Sequence, residues 1–231
     1  MRATLSEQVY DRLRLRIVTG ELKPGVLIDD KNIAAQLQIS RTPVREALKR
    51  LSDERLVDIV AQSGTRVSLI DPEEVRQAYL IRRALEMEGA GQAAGRMSKA
   101  HAQNLQEILS AHRQALTARH FADAIFIDDR FHRYIAEISN LMRLWQTIEI
   151  SKAQLDRCRH KMVPRTGEAQ ATLRQHREII AALQSGNPEA SRQAMAAHLD
   201  SAMTNTMKVL GAETANVDTP RVRRGLPARS R

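Results

Sequence analysis

"LIDDKNIAAQLQISRTPVREALKRL", residues 27–51, holds two helical patterns back to back. Ile33, Ala34 and Leu37 make the apolar stripe of a short helix over about 31–37, which Asp30 is placed to cap. "QIS" (38–40) is too short and polar for anything but a turn. A second helix follows, with Ser40 or Thr42 as cap and Pro43 in its first turn. Its inward residues are Val44, Ala47, Leu48 and Leu51, while Arg41, Thr42, Arg45 and Lys49 share the opposite face.

Upstream, Val9, Leu13 and Ile17 mark an amphipathic helix from about Ser6 to Thr19, ended by "TGELKPG" (19–25). Downstream, "LVDIV" (56–60) and "TRVSL" (65–69) flank Ser63-Gly64, the pattern of a two-stranded hairpin. Two short helices about a tight turn, the second basic outside, followed by a hairpin, predict a winged helix-turn-helix. Each basic residue alone is compatible with an ordinary solvated face. Together they favour DNA, because an arginine fork matches guanine O6 and N7 or a phosphate, and hydroxyls add backbone contacts.

Composition agrees with this reading without deciding it. The 231 residues carry 36 Lys and Arg against 27 Asp and Glu, a formal charge of +9, which suits a nucleic-acid partner. The single cysteine, Cys158, cannot form an internal disulfide and fits a reducing compartment. No apolar run approaches a membrane span, and the charged amino terminus lacks a signal peptide's apolar core. A cytoplasmic protein with no membrane partner is expected.

Composition shifts near residues 68–72, where Asp71 can cap a helix with Pro72 in its first position. Beyond it, six helices are expected, over about 72–95, 99–118, 120–139, 141–162, 168–185 and 188–210. Three units result: 1–68 for DNA, 69–210 as an all-α antiparallel bundle, and 211–231 as a disordered basic tail with five arginines. The fold class is therefore mainly α.

Within the bundle, polar residues interrupt apolar stripes. Phe121, Ile125, Asp128, His132 and Ile135 lie on one face of the third helix; Leu173, His176, Ile180 and Leu183 on one face of the fifth; Ala194, His198 and Ala202 on the sixth. A buried carboxylate is costly unless compensated, and an i, i+4 Asp/His pair with two further imidazoles has the composition of a metal site. A lone inward histidine is usually a core residue. His112, in phase with Leu105 and Leu109 but without such a partner, is read that way. Arg82 lies on the stripe Val75, Ala78, Arg82, Leu85, Gly89, where it would meet either an organic anion or a neighbouring acid such as Glu86.

These motifs carry a resemblance. "VYDRLRLRIVTGELKPG", "IAAQLQISRTPVREALKRLSDERLV" and "GTRVS" resemble the winged helix of GntR-family transcriptional regulators over about residues 5–68. Residues 72–210 resemble the FCD ligand-binding domain of the FadR subfamily, in its VanR-like, metal-binding branch. "DDRFH", "HREII" and "AHLD" match its ligand motifs, although "SN" at 139–140 stands where relatives often read "SGN". The resemblance implies a homodimer on a short palindromic operator in double-stranded DNA, usually as a repressor. It implies base or phosphate contacts for Arg41 and Arg45, support from Ser40 and Thr42, a backbone contact from Lys31, and a wing tip at Gly64 that enters the minor groove. It implies Asp128, His132, His176 and His198 as ligands of a divalent metal, with zinc expected and nickel or manganese as alternatives. A small organic acid would bind that metal, with Arg82 beside it. The rivals are a metal-dependent hydrolase-like enzyme, for which no general base is recognisable, and a regulator whose metal is structural or is itself the signal.

Overall fold

The structure, a computed structural model, describes residues 3–163 and 168–217. The opening helix α1 (Leu5–Val18) starts in a capping box, in which Thr4 Oγ1 accepts the Glu7 N–H and the Glu7 carboxylate accepts the Thr4 N–H. Strand β1 (Leu27–Ile28) comes next, then α2 (Asp30–Leu37) and α3 (Arg41–Asp53), separated by Gln38 in the left-handed region. The hairpin of β2 (Val57–Val60) and β3 (Gly64–Val67) completes an antiparallel sheet of order β1-β3-β2, in which Leu27 faces Arg66 and Val57 faces Val67. Val9, Leu13, Ile17, Val44, Leu48, Leu51 and Leu56 form the core beneath it.

Two details differ from expectation. The cap of α2 is Asp29, whose Oδ1 accepts the N–H groups of Lys31 and Asn32, and not Asp30. Asp30 is one residue too late for the extended cap conformation and turns to α3 instead. Strand β1 was also not expected, since two residues carry no readable alternation.

Among the described residues seven helices follow: α4 (Pro72–Ala94), α5 (Lys99–Thr117), α6 (Phe121–Ile138), α7 (Met142–Ser151), α8 (Ala153–Met162), α9 (Glu168–Gln184) and α10 (Pro188–Val217). Asp71 caps α4 through the Glu73 N–H, and Pro72 sits in its first turn. The single helix expected over 141–162 is divided at Lys152. That ammonium turns into the interior, where Asp129 (2.6 Å) and Asp156 (2.8 Å) bind it. The last helix runs to Val217, into the segment read as tail; residues 218–231 of that tail lie outside the described residues.

The main apolar cluster joins α4, α5, α6, α9 and α10 through Ala90, Leu105, Phe131, Ile135, Ile180, Leu183 and Met195. Helix α8 belongs to both halves of the molecule. Its Ala153 packs in the amino-terminal core, whereas Leu155 and Cys158 pack with Val75, Ala78 and Tyr79 of α4. Residues 152–159 are buried throughout, including Lys152, Gln154, Asp156, Arg157 and Arg159. Gln154 donates to the Arg55 carbonyl and to Ser68 Oγ (3.1 Å), and Arg157 donates to the Ser68 carbonyl at 2.9 Å.

The cap assignment is directly testable. Asp29→Ala should lower unfolding free energy by about 1 kcal/mol in urea titrations, the usual value of a lost N-cap. Asp30→Ala should leave the cap bonds intact and cost clearly less. A larger loss for Asp30→Ala would return the cap to Asp30.

Candidate nucleic-acid interface and metal centre

Helix α3 presents Arg41, Thr42, Arg45 and Lys49 to solvent, with Val44, Ala47, Leu48 and Leu51 holding its other face. Ser40 occupies its N-cap without a side-chain bond into the helix, which leaves the hydroxyl open to an outside partner. Both arginines are held by one carboxylate. Arg41 Nη2 donates to the two Asp30 oxygens (2.9 and 3.1 Å), and Arg45 Nε donates to Oδ2 at 3.2 Å. The Arg41 hydrogen bond, joined by Arg45, keeps the Asp30 carboxyl below its ordinary range. Lys31 is exposed at the start of α2. Gly64 begins β3 with φ +92°, and a Cβ there would lie 3.2 Å from Leu27 Cδ1, so the wing tip needs glycine.

In the bundle, α6 supplies Asp128 and His132 from one helical turn, α9 supplies His176 and α10 supplies His198, all four buried. One nitrogen from each of His132, His176 and His198 lies within 4.8 Å of the others. Asp128 Oδ1 is 3.3 Å from His176 Nε2, and Asp128 Oδ2 is 3.9 Å from His132 Nε2. Phe131 stacks on the His176 ring at 4.1 Å and fixes its plane. The expected quartet is thus brought together. His112 joins it, because one of its nitrogens lies within 4.8 Å of ligand atoms of both Asp128 and His176. It is therefore not the isolated core histidine of the sequence reading.

Protonation states follow from burial. Burial, then the neighbouring His198, holds His176 well below the ordinary histidine value. Burial and His132 bring His198 down to about 3. At neutral pH these two rings are neutral and carry lone pairs. His198 Nδ1 meets Gln175 Oε1 at 3.0 Å, which, with Nδ1 as the donor, turns the Nε2 lone pair toward the cluster. Burial alone would raise the Asp128 carboxyl, but Arg159, with His132 and His176, holds it well below the carboxylate range.

These residues fit a divalent cation. Both nitrogens of His176, Nε2 of His132 and Nδ1 of His112 are buried without a hydrogen-bond partner, an arrangement that costs stability unless something satisfies them. The 3.3 Å between Asp128 Oδ1 and His176 Nε2 is short enough for both atoms to reach one ion at bonds of about 2.0–2.2 Å.

Beside the cluster is a cavity of about 90 Å³, lined in part by Arg82, His112, Asp128, Arg159, His198 and Asn205. At roughly 10–15 Å³ per water it has room for several waters or a small organic molecule. Of the two partners open to Arg82, the neighbouring acid is the one observed. Arg82 Nε donates to Glu86 Oε1 at 2.6 Å, while Nη2 is buried with no partner. The other Glu86 oxygen lies 2.5 Å from His132 Nδ1, off hydrogen-bond alignment but within ion-pair reach. Against the effect of burial, Arg82 and His132 bring Glu86 down to about 2. Arg159, absent from the sequence reading, donates to Asp128 Oδ2 at 2.5 Å. Its helix shows no amphipathic period, so no signal marked it. His112 could have been found from its apolar phase had the other helices been placed.

A buried neutral histidine ties stability to pH. The unfolded chain binds a proton near pH 6.5 that folded His198 refuses until about pH 3, so stability must fall as pH drops below 6.5. For metal-free protein, His198 should cost about 2 kcal/mol at pH 5. Urea titrations between pH 7 and 5 should show a shallower slope in His198→Ala than in the native chain. Equal slopes would mean that His198 protonates normally in the fold.

Comparison with known proteins agrees with both halves. Residues 5–67 match the family model "Bacterial regulatory proteins, gntR family", and residues 77–201 match the FCD domain. The chain is 33% identical to the HTH-type transcriptional repressor RspR of Escherichia coli K12, over 84% of this chain and 86% of the relative. It is 31% identical to a probable D-xylose utilization operon transcriptional repressor of Paenarthrobacter nicotinovorans, over 94% and 95%. The solved structure of E. coli McbR/YncC superposes with a TM-score of 0.75 at 25% identity, covering 92% of this chain and all of that one. A GntR regulator from Rhodococcus sp. RHA1 gives 0.69 at 27% identity, over 90% and 98%. These relatives are regulators and not enzymes, and among the described residues no helix is long and apolar enough to cross a membrane. The chain belongs to the gntR family of bacterial regulatory proteins, a DNA-binding transcription regulator with a winged helix-turn-helix followed by an FCD domain.

Proposed function

We propose that the protein is a homodimeric transcriptional repressor whose hold on a palindromic operator is set by a small organic acid bound at a divalent metal in the FCD domain. One observation carries the reading. Buried imidazole nitrogens without partners surround an ionised Asp128 beside a cavity into which two arginines face. Asp128, His132, His176 and His198 would hold the metal, zinc being the expected ion, and when bound it supplies a Lewis-acidic centre with positions open to a carboxylate or hydroxyacid. Arg82 offers its unpaired Nη2 to that anion, with Glu86 orienting both Arg82 and His132. The repressor assignment follows the relatives' names; the acid follows the cavity's size and its arginines.

At the DNA end, Arg41 and Arg45 exchange Asp30 for guanine edges or phosphates. Ser40, Thr42 and Lys31 contact the backbone, and the wing tip at Gly64 enters the minor groove. The shared carboxylate fixes both guanidinium planes before DNA arrives.

Purified protein should contain about one divalent ion per chain by elemental analysis, and His176→Ala should lose most of it along with thermal stability. A panel of small carboxylic and hydroxy acids should include one that weakens operator binding by the native protein and not by His176→Ala. A response of equal size in metal-free protein would leave the cluster with a structural role, and a response to metal alone would make the ion the signal.

Arg45→Ala should cost about 1–3 kcal/mol of specific operator binding by fluorescence anisotropy. Asp30→Asn should act differently. Removing a negative charge raises affinity for random DNA, while loosening the arginines lowers the ratio of specific to non-specific binding. An unchanged ratio would show that Asp30 orients nothing.

A further inference from the structure

A file of alternating charges runs from the cavity to the DNA-reading helix, and helix α8 carries its middle. Arg159 Nη2 donates to Asp128 Oδ2 (2.5 Å) and Nη1 to Asp129 Oδ1 (2.5 Å), with a longer contact from Nη1 to Asp156 Oδ1 (3.4 Å). Asp156, one helical turn back along α8, accepts from Arg14 Nη2 of α1 at 3.3 Å. Arg14 Nε donates to Glu54 Oε2 at 2.9 Å, and Glu54 is the C-cap of α3. The Tyr10 hydroxyl donates to the other Glu54 oxygen, and the Arg50 guanidinium of α3 lies 3.7 Å from the Tyr10 ring centre. Four ionic contacts thus join Asp128, beside the histidines, to the end of the helix that bears Arg41 and Arg45.

We propose that Arg159 receives the ligand's carboxylate in the cavity and that the Asp156–Arg14 contact transmits this to Glu54 at the C-cap of α3, making α8 the coupling element between ligand and DNA. The inference rests on the reading of the cavity as an anion site. Arg159 lines the cavity, so a carboxylate there competes with Asp128, Asp129 and Asp156 for a single planar fork. A rigid guanidinium cannot turn toward a new partner without leaving an old one, and the longest of its carboxylate contacts, to Asp156, stretches first. Asp156 then rests on Lys152 and Arg14 alone, which changes its share of Arg14 and so the share left for Glu54. The remaining α8 contacts suit a fixed seat. Gln154 and Arg157 hold the Arg55 and Ser68 carbonyls and do not touch the cavity, so the domains stay docked while the charged contacts re-partition. A ligand shifts such an equilibrium only through groups that differ between its states, and here those are named.

Hydrogen–deuterium exchange on the full chain tests the route without knowledge of the natural effector, with zinc and acetate as probes. Three states are compared: metal-free, zinc-loaded, and zinc-loaded with saturating acetate. In the native chain, zinc and then acetate should slow exchange in α6 and α9, and acetate should change exchange in α1 and the last turn of α3 by about threefold or more. In Asp156→Asn, the α6 and α9 responses should persist while the α1 and α3 responses vanish. Arg14→Gln, at a partly exposed position, should behave the same way and covers the case in which Asp156→Asn does not fold. An α1 response unchanged in either folded variant would overturn the route and favour the direct link through residues 68–71 to α4. So would a silent α1 in a native chain whose α6 and α9 respond. If acetate leaves α6 and α9 unchanged in the zinc-loaded native chain, the anion-site reading itself falls and takes this inference with it.

Discussion

The Arg159 guanidinium is the interaction on which the molecule turns. It is buried, and a lone buried cation would cost several kcal/mol, so the fold surrounds it with Asp128, Asp129 and Asp156. Meeting that demand dictates several features at once. Asp129 and Asp156 also need Lys152, whose inward turn coincides with the break between α7 and α8. Asp128 is pinned by one oxygen, which leaves the other facing the His176 nitrogen. Asp156 reaches α1, so the same cluster helps seat the DNA-binding domain. Replacing such a network wholesale with apolar residues is often harmless to stability. Here its removal would free Asp128 and unlink α8 from α1, which argues that the charges serve position more than stability.

On the proposed reading, the cavity's charge balance accounts for an anionic ligand. Arg82 is matched by Glu86, Arg159 is matched by carboxylates, and burial keeps His176 and His198 neutral. A divalent ion held there would be only partly neutralised by Asp128, whose charge Arg159 already shares. An anion restores the balance and can reach Arg82 Nη2 at the same time. Small size and negative charge are thus two consequences of one arrangement.

Much of this was legible in the sequence, and the failures have physical causes. Apolar residues at helical spacing, with Gly and Pro at the breaks, located α1, α4, α5 and α6 to within about a residue, since each buries a continuous apolar stripe. The quartet was legible because Asp128, His132, His176 and His198 interrupt apolar stripes. Helix α8 was not. Periodicity detects a contrast between faces, and "KAQLDRCR" is buried on all of them, so it offers no such contrast. Arg159 was missed for that reason, and the break at Lys152 with it. His112 needed three-dimensional knowledge, because its partners come from α6 and α9. Asp29 and Asp30 are both good caps, and only the backbone conformation at 29 chooses between them.

On the proposed reading, the two ends of the molecule share one device: an aspartate holds arginines in a fixed orientation until a different anion claims them. Asp30 holds Arg41 and Arg45 at the surface, where Arg45 is two-thirds exposed and the pair is weakened by water and salt. Phosphates, present at high density on a duplex, displace such a carboxylate easily. Asp128 holds Arg159 in the interior, where screening is weak and the same exchange is far more costly. A metal on the opposite oxygen of Asp128 would draw charge away from that contact and make Arg159 available. On this reading the ion at the histidine cluster both binds the incoming acid and loosens the pair that the acid must break, which is why the cation ligands and the anion-binding arginine share a single aspartate.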